Sequence, residues 1–208
     1  NDFAVSVAKT ALWIAEDQMM QETQDLLYAP DWDFLPLKTY TRIHEGNALR
    51  TNWEDIIPSY ACHYIIGNPP FVGLSALPPE NKDLKKQQTE DMNIVFKGLP
   101  KHGKLDYVAA WYEKATDMMQ KNPNIKAAFV STNSITQGEQ VGILWKHLVE
   151  DKNLTIMYAY RSFIWGNEAQ NTAKVHCVII GFTCGRYNEP KTLYDGDKVK
   201  KVDHINGY

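Results

Sequence analysis

The 208-residue sequence is poor in cysteine. Cys62, Cys177 and Cys184 are its only three, and none forms a Cys-x-x-Cys pair. So few thiols, odd in number, exclude a disulfide framework and a zinc finger, and a reducing cytoplasm is the expected location. No apolar run approaches the roughly 20 residues that cross a bilayer. The first residues lack the charged-then-apolar pattern of a secretory leader, so neither a membrane nor export is expected. Positive charge is not in excess: 22 Lys and Arg stand against 25 Asp and Glu, a net charge of −3. No overall field draws nucleic acid or anionic lipid to the chain, so any such contact must be a local site or belong to another domain. The twelve glycines include no Gly-x-Gly spacing. What is present is a globular composition, 44% hydrophobic and 23% charged, which excludes disorder. The chain opens at Asn1 and reads as helix almost at once, which predicts a piece of a longer protein.

The hydrophobic period switches between 3.6 and 2 along the sequence. Phe3, Ala4, Val7, Ala8, Ala11, Leu12, Ile14 and Ala15 recur at helical spacing. Residues 41–44 are a weak strand candidate. Cys62-His63-Tyr64-Ile65-Ile66, bounded by Gly67, reads as a short buried strand. Residues 72–104 are polar and poorly periodic, with six lysines against four carboxylates, and are expected to be a long loop. Residues 105–120 and 141–149 are predicted helices. Residues 125–130, 154–160 and 175–182 are predicted strands, the last two separated by polar residues 166–174. The alternation predicts an α/β fold with a mostly parallel sheet. The two late strands have no helix between them and are expected to form an antiparallel edge pair.

One segment carries chemistry. Asn68-Pro69-Pro70-Phe71 follows the apolar strand directly, and open α/β sheets bind ligands beyond the carboxyl ends of their strands. Two prolines fix the backbone and remove two N–H donors, leaving carbonyl acceptors in a set direction. Asn68 adds a side-chain carbonyl. Together these oxygens can receive both hydrogens of a planar –NH2 group, and Phe71 offers a face on which a ring can stack. The same tetrapeptide also serves elsewhere as a plain strand-ending turn; its place after an apolar strand in an α/β pattern favours a site.

Residues 65–71, Ile-Ile-Gly-Asn-Pro-Pro-Phe, resemble the catalytic motif of amino-methyltransferases that use S-adenosylmethionine. The chain is similar, more closely, to the adenine-N6 DNA methyltransferases of bacterial restriction–modification systems, including the large fused restriction–methylation polypeptides. Residues 1–18 resemble the helix after the second cofactor-binding strand, and Gly46-Asn47-Ala48-Leu49 the third cofactor motif. Residues 105–115 with 128–134 resemble the next helix–strand unit. Residues 163–182 resemble the late motif whose aromatic closes over the base. The resemblance implies the rear part of a Rossmann-like class I methyltransferase sheet, with the antiparallel pair at its late end. Residues 1–185 would be a partial catalytic domain. Residues 186–208 would be an extension or the start of a linker toward a target-recognition domain. It implies S-adenosyl-L-methionine as cofactor, held by Asn47, Ala48 and Asn68. It makes Asn68, Pro69, Pro70 and Phe71 catalytic, with Phe71 and either Phe163 or Trp165 sandwiching a flipped adenine from double-stranded DNA. The family's Gly-rich cofactor loop and the acidic residue that holds the cofactor ribose lie ahead of the matching region, so the isolated piece is expected to be inactive.

Other constellations carry less. Cys62-His63 and His176-Cys177 alternate across strand faces and chelate poorly, so no metal is expected. Ser131 and Ser134 lack a nucleophile-elbow context. Asp106 and Glu113 read as solvated helix residues. The Asn-Pro-Pro geometry also suits an RNA amine or a protein glutamine amide, and a non-catalytic DNA-binding module is the third alternative.

Overall fold

The computed structural model describes residues 2–27, 43–71, 81–165 and 175–207. Contacts divide the chain into two compact units, Asn1–Thr51 and Asn52–Tyr208. In the first, the predicted N-terminal helix is present as α1 (Asp2–Leu27). It runs past the apolar stretch because residues 16–27 are mostly strong helix formers. Ile43 and His44 are not in a strand, so that expectation fails where it can be read; 41 and 42 lie outside the described residues.

The second unit begins with the short helix α2 (Trp53–Ile56), capped by the Asn52 side chain. Then come β1 (Tyr64–Gly67), α3 (Lys82–Val95), α4 (Ala109–Lys121) and β2 (Lys126–Thr132). Two π-helical turns follow, Val141–Trp145 and His147–Asp151. Last are β3 (Thr155–Trp165), β4 (Val175–Thr183), β5 (Lys191–Asp195) and β6 (Lys198–Val202). All six strands form one sheet in the order β1-β2-β4-β3-β5-β6. β1 and β2 are parallel, as are β3 and β5; β4 is antiparallel to both its neighbours and β6 to β5. Four strands therefore run one way, and the late pair β3–β4 is antiparallel. That pair lies inside the sheet rather than at its edge, because β5 and β6 extend it. The β5–β6 hairpin, built from residues expected to be an extension or linker, turns at Gly196-Asp197, with Gly196 at φ 57°. Glycine at the first position of a two-residue hairpin loop supplies the positive φ that such a turn requires.

The core forms where α4 meets the sheet centre. Ala109, Ala110 and Ala115 let the helix approach closely, and Tyr112 and Met119 project inward at helical spacing. β2 alternates, burying Ala127, Phe129 and Ser131. The Tyr112 ring meets Phe129, Trp145 and Phe182 at centroid distances of 5.2, 5.5 and 5.1 Å. Each such pair adds about 0.5–1.5 kcal/mol to the burial of its rings. The Tyr112 hydroxyl is 2.8 Å from Ser131 Oγ, itself buried.

Two expectations are corrected here. Residues 82–95 of the supposed long loop are helix α3; residues 72–80 lie outside the described residues. Its inward face holds Gln88 and Asp91 beside Met92, which breaks the apolar pattern. Asp91 is buried because the Tyr107 hydroxyl donates to it at 2.7 Å. β1 is a strand but is not buried: Tyr64 is 69% and Ile66 81% exposed, at the edge of the described sheet.

Glu113 is not solvated either. It lies in the interior with Lys152 Nζ 2.5 Å from Oε1 and His147 Nε2 3.2 Å from Oε2. Lys152 also reaches Asp117 at 2.6 Å. Burial disfavours the Lys152 ammonium, but hydrogen bonds to Asp117 and Glu113 outweigh it and raise its pKa above the ordinary lysine value. Removing Lys152 strands the Glu113 charge. Lys152→Met is therefore expected to cost about 1–3 kcal/mol in urea unfolding, below the about 3–5 kcal/mol of a fully buried pair, because the lysine keeps 19% exposure. Asp117→Asn, at a more exposed carboxylate, is expected to cost less.

Burial also pushes the Tyr112 phenol above its ordinary range. A raised phenol pKa contributes stability that is fully present below the unfolded value of about 10 and is lost as pH rises through the folded one. Tyr112→Phe is expected to cost about 1–3 kcal/mol near neutrality, since Ser131 loses its partner. In an alkaline titration of stability, the variant should lose less than the wild type above pH of about 10.

Candidate functional site

The candidate site lies at one end of the sheet. β1 ends at Gly67, opposite Phe129 of β2, and a Cβ on Gly67 would stand 3.4 Å from the Phe129 ring. The chain then leaves the sheet as Asn68-Pro69-Pro70-Phe71. Asn68 is exposed, Pro69 is buried, Pro70 is exposed and Phe71 is partly buried. The buried ring of Pro69 anchors a segment whose preceding amide stands in the open. With no N–H on residues 69 and 70, the segment presents acceptors there rather than donors.

β2 continues three residues beyond this level. Its last residue, Thr132, pairs with Cys177 of β4, which pairs on its other side with Phe163 of β3. Phe163 therefore sits at the same sheet end as Asn68–Phe71, and opposed residues of these antiparallel pairs share a face. Phe163 is partly buried. The backbone of Trp165 pairs with Val175, further out along β3. Residues 166–174, between the two strands of the late motif, lie outside the described residues.

Asn47 and Ala48 belong to the first unit. Ala48 is exposed. Asn47 Oδ1 accepts from Leu49 N–H at 2.9 Å, and the Asn47 carbonyl accepts from the N–H groups of Arg50 and Thr51 at 3.0 and 2.9 Å. This is an Asx turn, so the acceptor that the family resemblance assigns to cofactor adenine already serves the local backbone.

The cysteines are poor nucleophiles. Burial raises the thiol pKa of Cys62 and Cys177, and each thiol donates weakly to a backbone carbonyl two residues away. Among the described residues no group of three His, Cys, Asp or Glu is arranged to hold a metal ion.

Sequence reasoning missed Asp106. Far from being a solvated helix residue, it is partly buried at the carboxyl end of β2, where its carboxylate accepts the Ser134 hydroxyl and lies 3.4 Å from Thr132 Oγ1. Its partners are 26 and 28 residues away, too far for any local pattern. The only local hint is the run Ser131-Thr132-Asn133-Ser134, dense in hydroxyls at a strand exit.

Known proteins share this architecture. The chain is 40% identical over 210 residues to DNA methyltransferase A of Bacillus subtilis (strain 168), covering 100% of this chain and 23% of that protein. It superposes on the DNA complex of the Type IIL restriction-modification enzyme MmeI with a TM-score of 0.87 at 40% identity, covering 100% of this chain and 27% of the other. The chain thus spans about a quarter of the length of each. The match to MmeI fixes the fold as a methyltransferase-like α/β sheet. With residues 1–195 matching the family model for the MmeI DNA-methyltransferase domain, this chain belongs to that family.

Proposed function

We propose that this chain is the rear part of a restriction–modification DNA methyltransferase domain that transfers a methyl group from S-adenosylmethionine to the exocyclic N6 amine of adenine. The observation that carries the reading is Asn68, exposed at the carboxyl end of a strand parallel to its neighbour, followed by a buried proline. Family membership, and similarity to a Type IIL restriction-modification enzyme in complex with DNA, support DNA as the substrate.

An exocyclic amine is a weak nucleophile because its lone pair is delocalised into the ring. The Asn68 side-chain carbonyl and the Pro69 carbonyl accept its two hydrogens, which favours a tetrahedral nitrogen and concentrates the lone pair. The residues fit a sulfonium donor: this end of the segment offers carbonyl oxygens and an aromatic face. Asn68 would hold the donor, which supplies an activated methyl group when bound; Asn47 and Ala48, which the family resemblance also assigns to it, belong to the first unit. No strong base is needed, since the proton can leave to water after transfer. Alignment does the rest, and in favourable cases is worth about 7–11 kcal/mol. A target base in a duplex must be flipped out at a few kcal/mol. Stacking on Phe71 and on Phe163 or Trp165 offsets this by about 1–3 kcal/mol per base.

The test uses the full-length gene product with double-stranded DNA and S-adenosylmethionine, with digested DNA read by mass spectrometry. N6-methyladenine is expected. Asn68→Ala is expected to lower its formation at least about a hundredfold while DNA affinity stays within twofold. Methylation of RNA or of a glutamine peptide instead of DNA would move the reading to those substrates. DNA binding without methylation would leave a binding module.

Phe163→Ala and Trp165→Ala separate the two candidate lids. With 2-aminopurine at the target position, the variant that removes the stacking partner is expected to weaken flipping about 5- to 150-fold, and the other is expected to leave the fluorescence change intact.

A further inference from the structure

Three elements converge on Asp106. Its carbonyl accepts from Ala109 N–H at 2.9 Å and starts α4. Its own N–H donates to Gln140 Oε1 at 2.7 Å, at the threshold of the first π-helical turn. Its carboxylate receives the Ser134 hydroxyl, and Thr132 Oγ1 lies 2.9 Å from Ser134 Oγ and 3.4 Å from the carboxylate. One side chain therefore ties the exit of β2 to the start of α4, while its backbone ties that start to the π-helical segment. The other flank of the exit turn is also pinned: Trp145 Nε1–H donates to the Ile135 carbonyl at 2.8 Å, in a buried setting.

The position of this knot matters. β2 is the parallel neighbour of β1 and runs past it, so residues 130–132 lie alongside the point where β1 gives way to Asn68-Pro69-Pro70-Phe71. No N–H of Pro69 or Pro70 can bind that segment to a neighbouring strand. Its orientation has to be set by what it packs against. A carboxylate accepting the Ser134 hydroxyl is a stiffer joint than a neutral hydrogen bond, because charge-assisted bonds are shorter and about twice as strong, and Thr132 adds a longer contact at 3.4 Å.

We propose that Asp106 is a positioning residue for the transfer reaction: its carboxylate latches the exit of β2, so that the neighbouring Asn68-Pro69 oxygens keep their alignment with the accepting amine. The inference rests on the methyltransferase reading of the Asn68 segment. Loss of the latch acts on the chemical step, where a displacement of about 1 Å costs about a hundredfold, and is expected to leave KM for DNA little changed.

The test compares Asp106→Ala, Asp106→Asn, Ser134→Ala and the double variant Asp106→Ala/Ser134→Ala in the full-length gene product. Single-turnover methylation, KM for DNA and thermal midpoint are measured for each. Asp106→Ala is expected to lower the transfer rate at least tenfold with KM for DNA within twofold. Asp106→Asn, which keeps one acceptor oxygen, is expected to recover at least half of that loss on a logarithmic scale. The double variant is expected to be no slower than Asp106→Ala within a factor of two, since both changes break one joint. A wild-type rate in Asp106→Ala, or independent multiplying losses in the double variant, overturns the proposal. If Asp106→Ala fails to fold, Asp106→Asn and Ser134→Ala decide: wild-type rates in both overturn it, and a slowed rate at unchanged KM in either supports it. Wild-type protein that methylates nothing defeats the methyltransferase reading, not the latch. The latch is then judged by hydrogen exchange of the amides of residues 132–136, of Asn68 and of Phe71. Faster exchange in Asp106→Asn supports it and unchanged exchange overturns it.

Discussion

The phenol of Tyr112 is the contact on which the second unit depends. It is fully buried, it touches rings from β2, from β4 and from the first π-helical turn, and its hydroxyl meets the one buried hydroxyl of β2. A helix with alanines around this tyrosine can descend close to the sheet, and the aromatic bodies fill the space that the small residues leave. Buried polar atoms are tolerated only where they find partners, and Ser131 is the partner that lets a tyrosine, rather than a phenylalanine, occupy this position. Helix, sheet centre and π-helical segment are thereby fixed in one register, and the strand ends above them inherit that rigidity.

The candidate site draws on it. Asn68 and its prolines have little secondary structure of their own, yet they emerge from a strand whose last residue abuts Phe129, one of the rings around Tyr112. Phe163 arrives at the same level through two antiparallel pairings. The chemistry assigned to these residues asks for fixed acceptors and a flat apolar surface more than for a charged catalyst, and a sheet end braced from below supplies both. Asn47 contrasts with them: its amide oxygen closes its own turn.

What could be read from the sequence was local. The tetrapeptide at 68–71, the strand expected at residues 125–130 and the helix expected at residues 105–120 are each signalled within a short stretch, and the structure has a strand at Lys126–Thr132 and a helix at Ala109–Lys121 in their places. What escaped depends on partners far along the chain. α3 hides because its inward face includes Asp91, acceptable only through a tyrosine hydroxyl 16 residues on. Asp106 and Glu113 look like surface carboxylates until serine, lysine and histidine side chains arrive from 28 to 39 residues away. β1 was expected to be buried from its composition, but position within a sheet, not composition, decides exposure. The hairpin of β5 and β6 was overlooked despite its Gly-Asp turn, since the lysines of β6 weigh against a strand reading.

The order of the strands has a consequence for how the chain assembles. β4 lies between β2 and β3 and bonds to both, yet it is made after both of them. Until residues 175–183 have been synthesised, the first two strands and the third share no ladder, and their facing edges stay open. The sheet closes in one late event that joins segments dozens of residues apart, and such non-local pairing slows folding. During that interval the open edges of β2 and β3 are the places where a nascent chain is most exposed to wrong partners, so the ribosome and the chaperones that meet this polypeptide have a definite window, and a definite pair of edges, to protect.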